Sequence, residues 1–491
     1  MSPPSSLSNF LVEESDSIRT ALQKIDSNAQ GICIVVDENG VLSGVATDGD
    51  IRRGLLSGAE LEDPVITVAE RDCVSAPVSA TDKEVQGLLS PSVQLIPLLN
   101  DEGHPVDYLS PSKNRRFPIM EPYLGGNELA YVTECVETNW ISSQGKFVDQ
   151  FENAISTYVG APYAVAVSNG TVALHLALEA FEIGQGDEVI VPDLTFAASV
   201  NSILHAGATP VLVDICEDTW SIDPTAIEDA ITEDTKAIMP VHLYGQPCDM
   251  DRISAIAKKY DLRVIEDAAE AIGSTHRGEP VGAIGDAGCF SFFGNKTVTT
   301  GEGGIVLFKD EQVYQRAVQL RDHGMSPSKR YWHEYVGYNY RMTNLQAAVG
   351  VAQMERIDEI IERKIEIGEL YKKNLNTVDG ITLPVEIDDR TNTHWLFTAL
   401  IDKEFGINRH ELIGKMKQNG IDLRPVFYPL HEMPVYKEYG RGSYDQATKI
   451  AYHGISFPSS LTLSDKDIEE ISNVFKSVVR VRKTASGVLQ D

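Results

Sequence analysis

Residues 291–304 read SFFGNKTVTTGEGG, and they place one lysine, Lys296, between a serine–aromatic run and a Gly-Glu-Gly-Gly turn. The flanking runs GCFSFF and GIVLF are short and apolar, the pattern of strands buried inside a sheet. Lysine seeks water, so its position between two such runs is unusual. A lysine facing a closed cleft is costly in its charged form, which favours the neutral, nucleophilic amine. Read alone, the residue is equally a solvated loop lysine. The glycines after it permit positive φ and close approach of the chain to a ligand.

Outward from this stretch, apolar runs alternate with helical segments from about residue 117. YAVAV precedes the helix of GTVALHLALEAF. DEVIVPD, TPVLVDI, TKAIMPVHLYG and LRVIEDAA follow, separated by AASVNSILHAG and DMDRISAIAKKY. Short Val/Ile-rich runs between helices predict an α/β fold with a mostly parallel sheet flanked by helices on both faces. In such sheets the site lies beyond the carboxyl ends of the strands. From about residue 350 a long helix, LQAAVGVAQMERIDEIIERKIEIGELYKKNL, opens a smaller α+β lobe containing HWLFTALI, HELIGKMKQNG and KDIEEISNVFKSVV.

Two strand ends carry polar groups toward that rim. AVSNGT ends one strand and opens a helix, so Gly170 and Thr171 offer a backbone cradle and a hydroxyl at a helix N-terminus, a phosphate site by geometry and dipole. Ser-Asn-Gly-Thr is also an ordinary turn and cap. VIEDAAEA ends another strand in Glu266 and Asp267, where a carboxylate is either functional or a helix N-cap. A phosphate cradle, a carboxylate able to hold a pyridinium nitrogen and a Schiff-base lysine are together what pyridoxal 5'-phosphate (PLP) requires.

Residues 117–480 resemble the nucleotide-sugar aminotransferases of the DegT/StrS family, which have the fold-type I PLP architecture. The resemblance runs through NWISSQGKFVDQFE, SNGTVALHLAL, PVHLYGQPCDMD, VIEDAAEAIGS, SFFGNKTVTTGEGG, GYNYRMTNLQAA and RPVFYPLHEMPVY. The wording of these blocks is similar to the perosamine-forming branch, which aminates C4 of GDP-4-keto-6-deoxymannose. The resemblance implies that Lys296 forms the Schiff base and moves protons, and that Asp267 pairs with the pyridine nitrogen. It implies that Gly170, Thr171 and Ser291 hold the phosphate, that Phe196 stacks on the cofactor ring, and that Asn339 reaches the phosphate of a neighbouring subunit. The active unit would then be a homodimer with shared sites, with a higher oligomer left open. Glu270 departs from many members, which put Gln or His near the cofactor's phenolic oxygen; it fits the perosamine branch, and one of the two anionic groups would have to be protonated. Trp140, Arg424, Tyr428 and His431 fall in blocks that line the sugar-nucleotide side in relatives. The implied reaction is ping-pong: L-glutamate gives up its amino group and leaves as 2-oxoglutarate, and a nucleotide-linked 4-keto-6-deoxy sugar receives it. A UDP-linked sugar is the alternative acceptor.

The first 110 residues have a different texture. SIRTALQKID reads as a helix, GICIVVD and VLSGVAT as a hairpin around Asn-Gly, and DGDIRRGLL as a helix with an acidic cap. DKEVQGLL and VQLIPLLNDEGHPVDYLS echo that order, which suggests an internal repeat of about 50 residues. The pair resembles CBS domains, in which a Thr/Ser-x-x-Asp element binds a nucleotide; Thr47 and Asp50 fit it, and the second repeat lacks it. The module is thus either a regulatory nucleotide site or a ligand-free dimerisation unit. The expected organisation is a CBS pair over 1–110, a linker over 111–116 (within SPSKNRRFPIM), a large domain over 117–350 and a small domain over 351–491.

A net charge of -30 repels nucleic-acid phosphates and anionic membranes and argues against either as a partner. No run reaches the roughly 20 apolar residues of a membrane-spanning helix. The N-terminus has no basic segment followed by an apolar one, and the six cysteines include no CxxC pair. A cytoplasmic protein without disulfides or a zinc site is the expectation. Two competing readings weaken on the same residues. A PLP sugar dehydratase would replace the lysine with histidine, and a nucleotide sensor with an inactive transferase half would not keep Lys296, Asp267 and Thr171 together.

Overall fold

The computed structural model describes residues 7–28, 31–80, 88–90, 93–110, 116–402 and 405–485. The chain divides into two units, residues 1–116 and 117–491.

Two three-stranded sheets of one design build the first unit. In one, Leu11–Glu13 runs parallel to Ile32–Val36, which pairs antiparallel with Leu42–Thr47. In the other, Ala76–Pro77 runs parallel to Ile96–Leu99, which pairs antiparallel with Pro105–Leu109. The internal repeat is therefore present, but its central strands begin at Ile32 and Ile96, a wider spacing than the sequence suggests. The helix expected at DKEVQGLL falls mostly outside the described residues. Helix Ile18–Asn28 lays Ile18, Ala21 and Ile25 against a strand that is buried along its whole length, Ile32–Val36. Cys33 and Val35 face Ile51 of helix Asp48–Leu56 and Val65 in one core.

The second unit is organised by a seven-stranded sheet in the order Tyr163–Val167, Gly304–Phe308, Ala287–Ser291, Arg263–Asp267, Thr235–Ile238, Glu188–Pro192, Thr209–Val213. Every pair from Ala287–Ser291 to Thr209–Val213 is parallel, because a helix-containing crossover or long connection separates the strands in sequence. Gly304–Phe308 alone runs antiparallel to both its neighbours. It follows Ala287–Ser291 through FFGNKTVTTGEG with no intervening helix, so the chain reverses directly. The Lys296 stretch is that reversal. Helix Gly170–Ala180, buried from Ala173 to Leu178, covers the sheet and shares its core with Val165, Val189 and Val306.

The long helix expected near residue 350 is two helices, Asn344–Met354 and Ile357–Leu375. Each half packs on different partners. The first lies against helices Glu128–Glu137 and Lys146–Val159, and the second against helix Asp465–Ala485. At the break Arg356 leaves helical geometry and turns its guanidinium to Glu359 and to the ring of Tyr123. The C-terminal lobe has an antiparallel sheet in the order Ile381–Thr382, Phe397–Ile401, Gly454–Phe457, Arg424–Pro425. Its core gathers Tyr371, Phe397, Phe457 and Phe475, and Phe117 joins it.

Candidate active site

Strand Arg263–Asp267 sends alternate side chains to opposite faces, so its two acidic residues part company. Glu266 turns away from the rim and is fully buried. It accepts the N–H groups of Gly282, Ile284 and Gly285 and the Nε2–H of His242 at 2.9 Å. The other ring nitrogen of His242 accepts the Cys248 N–H, which fixes the tautomer. This pair is structural. Asp267 faces the other way, accepting from Ser199 Oγ at 2.7 Å and from the Ala269 N–H at 3.2 Å. Burial holds its carboxyl above the ordinary value, and the hydrogen bonds from Ser199 and Ala269 only offset part of that.

Lys296 stands close by, its side chain 14% exposed. Its Nζ lies 3.3 Å from Glu270 Oε1 and 3.8 Å from the centroid of the Trp395 ring. Glu270 is buried, and its second oxygen accepts the Tyr244 N–H at 2.9 Å. Burial also raises the Glu270 carboxyl, with Lys296 acting against it. Tyr244 holds positive φ, 54°, which aims its N–H at Glu270 while its ring stacks between Trp395 and Phe427. Trp395 Nε1 donates to the Asn295 carbonyl at 2.7 Å, so one indole grips the lysine loop by its edge and its face. Lysine is therefore mostly enclosed here, with an anion on one side and an aromatic face on another.

The residues expected to hold a phosphate pack closely together. Asn169 caps helix Gly170–Ala180, its side chain accepting from Val172 N, and Gly170 packs on Ser291. A Cβ at Gly170 would meet Ser291 Cβ at 2.7 Å, and one at Gly304 would meet the Asn169 carbonyl oxygen at 2.4 Å. The two glycines let the helix start, Thr171 and Ser291 converge. Phe196 is 59% exposed, its ring 5.7 Å from that of Phe427. These residues fit PLP. A buried carboxylate held by Ser199 and the Ala269 N–H suits a protonated ring nitrogen, the crowded cradle suits a phosphate, and a bare aromatic face suits a planar ring.

The remaining expected residues are spread more widely. Asn339 is exposed and its Oδ1 accepts from Arg341 Nε. Tyr428 is half-exposed, edge-on to Tyr452 and under the Arg409 guanidinium. His431 Nδ1 sits 2.7 Å from Oδ2 of the fully buried Asp193, and its N–H donates to Oδ1. Arg424 is exposed and pairs with Asp422. Trp140 is exposed on a pocket lined by Glu134, Lys146, Arg321 and Asn344, and its carbonyl accepts from Asn344. In the first unit, Thr47 and Asp50 close a capping box on helix Asp48–Leu56: Thr47 Oγ1 accepts the Asp50 N–H, and Asp50 accepts from Thr47 N–H. Three residues of the Lys296 environment were not expected from sequence: Ser199, Tyr244 and Trp395. Ser199 and Tyr244 look like ordinary helix and turn residues, and Trp395 reads as core.

A family model for the DegT/DnrJ/EryC1/StrS aminotransferases matches residues 122–476. The chain belongs to that aminotransferase family. A CBS-domain model matches residues 7–57 of the same chain. The aminotransferase is 47% identical over 351 residues to a GDP-perosamine synthase of Escherichia coli O157:H7, covering 72% of this chain and 95% of that protein. It is 45% identical over 357 residues to a GDP-perosamine synthase of Caulobacter vibrioides, covering 72% and 96%. A sugar-aminotransferase structure from Streptococcus pneumoniae in its PMP form superimposes with a TM-score of 0.72 at 31% identity, over 76% of this chain and all of that one. The chain is a PLP-dependent sugar aminotransferase that carries a CBS domain. Among the described residues no helix is long and apolar enough to cross a membrane.

Proposed function

We propose that this aminotransferase moves the amino group of L-glutamate to C4 of a nucleotide-linked 4-keto-6-deoxy sugar, and that the sugar is GDP-4-keto-6-deoxymannose, giving GDP-perosamine and 2-oxoglutarate. The observation that carries the acceptor is the identity with GDP-perosamine synthases over nearly their whole length. A UDP-linked sugar is the alternative acceptor.

When bound, PLP supplies the electron sink that acidifies the C–H bond next to the transferred nitrogen. The chain's residues handle the rest. Lys296 Nζ would carry the proton from the donor's α-carbon to C4′ of the cofactor, and in the second half-reaction would carry one from C4′ to C4 of the sugar. Glu270, 3.3 Å from that amine, is a nearby site for a proton. Asp267 holds the ring nitrogen protonated, itself oriented by Ser199 and the Ala269 N–H. Gly170, Thr171 and Ser291 bind the phosphate, and Phe196 covers the ring. Trp140, Arg424, Tyr428 and His431 line the side of the sugar nucleotide.

A homodimer fits the surface. Tyr331, Trp332, Tyr335 and Val336 are exposed in the segment before Asn339. Apolar exposure on this scale marks an interface, and it would bring Asn339 to a partner's phosphate site. The CBS unit would bind a regulatory nucleotide near Thr47 and Asp50. A location in the cytoplasm, where nucleotide sugars are made, completes the reading.

The test is release of 2-oxoglutarate from glutamate with a panel of GDP- and UDP-linked 4-keto sugars. GDP-4-keto-6-deoxymannose should give the highest kcat/KM. A UDP sugar preferred over it would transfer the assignment to the alternative.

A further inference from the structure

Helix Ile357–Leu375 carries a lysine, Lys364, that is 0% exposed. Its Nζ donates to the Trp395 carbonyl at 2.8 Å and the Ser459 carbonyl at 2.7 Å. Among the described residues no carboxylate accepts from it. Unpaired buried ammonium groups are expensive, and an apolar side chain of the same length would fill the space more simply. The residue needs a reason beyond packing.

The sheet supplies one. Strands Phe397–Ile401 and Gly454–Phe457 pair with Phe397 opposite Phe457. Continued in register, the ladder would place Trp395 opposite Ser459. It stops short: the Phe397 N–H bonds to the Ser459 hydroxyl, and Lys364 Nζ bridges the two carbonyls where the strands part. The same helix face grips both segments again. At Gly368, one turn on, a Cβ would meet the His394 ring at 2.2 Å, and Tyr371 OH donates to the Pro458 carbonyl at 2.8 Å. His394, next to Trp395, has φ of 48°, a strained conformation that persists only where its surroundings over-determine it.

Trp395 is the residue whose ring lies under Lys296 Nζ and whose Nε1–H holds the Asn295 carbonyl. A continuous path of direct contacts therefore runs from Lys364 through Trp395 to the reacting amine. We propose that Lys364 is a positioning residue for Lys296: by holding the Trp395 and Ser459 carbonyls it fixes the indole that orients the lysine amine. The burial that lowers its own ammonium to about 7 suits this task, since a neutral amine still has two N–H donors for two carbonyls. The role rests on Lys296 being the cofactor-bearing amine.

The test reads the Lys296 amine directly. In the cofactor-free full chain, the rate at which trinitrobenzenesulfonate labels Lys296 is followed by peptide mass spectrometry across pH for wild type, Lys364→Met, Lys364→Gln and Trp395→Phe. Lys364→Met and Trp395→Phe should each change the Lys296 rate, or move its pH midpoint, by at least threefold. Lys364→Gln, which keeps two N–H donors, should restore part of the wild-type behaviour. Adding Lys364→Met to Trp395→Phe should produce little further change, because both act through the same indole. Lys364→Met with a lower melting temperature and wild-type Lys296 labelling would overturn the proposal, and so would independent, additive effects. Should Lys364→Met fail to fold, wild-type labelling in Trp395→Phe is enough to overturn it. Borohydride reduction of wild-type holoprotein, with peptide mapping, separately reports whether Lys296 bears the cofactor, so a failure of that premise is distinguishable.

Discussion

Glu270 Oε1 lies 3.3 Å from Nζ of Lys296 while Glu270 Oε2 is tied to the Tyr244 N–H. One carboxylate therefore connects the Lys296 amine to a backbone group held at positive φ. Burial raises the Glu270 carboxyl above its ordinary 4.5. A carboxyl raised in the folded state binds more protons there than in the unfolded chain, so its ionisation lowers stability as pH climbs through the window above 4.5. Glu270→Gln should remove that slope. The melting temperature of cofactor-free wild type relative to Glu270→Gln should fall between pH 5 and 8. A constant difference across that range would rule out a raised Glu270.

Asp267 is buried with Ser199 and the Ala269 N–H as its hydrogen-bond donors. In its proposed role it faces the cofactor's ring nitrogen, and Asp267→Asn would remove that charge. Breaking a buried pair of this type costs roughly 3–5 kcal/mol, so the affinity for PLP should weaken by roughly 10²-fold or more. Absorbance titration of the stripped protein with PLP gives the Kd. An unchanged Kd would remove Asp267 from its assigned role.

His431 rests on Asp193, which burial pushes up and the His431 contacts pull back down. His431→Ala would remove the imidazole from the buried Asp193 carboxyl and leave it the backbone N–H of residue 431, a loss of about 1–3 kcal/mol. Denaturant unfolding should show the loss. If stability holds and only KM for the sugar nucleotide rises, His431 contacts substrate and its bond to Asp193 merely orients it.

Lys364 behaves oppositely to Glu270 in pH. Its ammonium is lowered from 10.5 to about 7 by burial. Between those values the unfolded chain binds the extra proton, so this residue's contribution to stability improves as pH rises from 7 toward 10.5 and is poorest below 7. Unfolding free energies of wild type minus Lys364→Met should therefore rise by about 2–3 kcal/mol between pH 7 and 9. A flat difference would mean the lysine stays charged in the fold.

Thr47 and Asp50 close a capping box around the start of helix Asp48–Leu56. Thr47→Ala should destabilise the first unit by about 1 kcal/mol. Calorimetry on the full chain with AMP, ATP, GDP and UDP-sugars then separates the roles. Heat in wild type that vanishes in Thr47→Ala supports a nucleotide contact; equal heat in both leaves Thr47 as a cap alone.

Much of the architecture is legible locally. Short Val/Ile runs such as YAVAV and LRVIED report strands buried on both faces, and period-3.6 segments between them report helices. The break at Glu355–Arg356 was not legible, because both halves of the segment are good helix formers. What separates them is that they pack on different neighbours. The His242–Glu266 pair was equally hidden: Glu266 and Asp267 are adjacent acids in sequence, and only the pleat sends one into the core and the other to the rim.

The chain by itself determined the alternation of strands and helices, the glycine turn after Lys296, and the residue types expected around the lysine, because these depend on local propensity and on side-chain chemistry. Tertiary structure alone decided which groups meet. Ser199 and Trp395 come from segments distant from Asp267 and Lys296, and their distances to them follow from sheet register and lobe packing. Register fixes where Trp395 and Ser459 face each other, and so where one buried lysine can hold both.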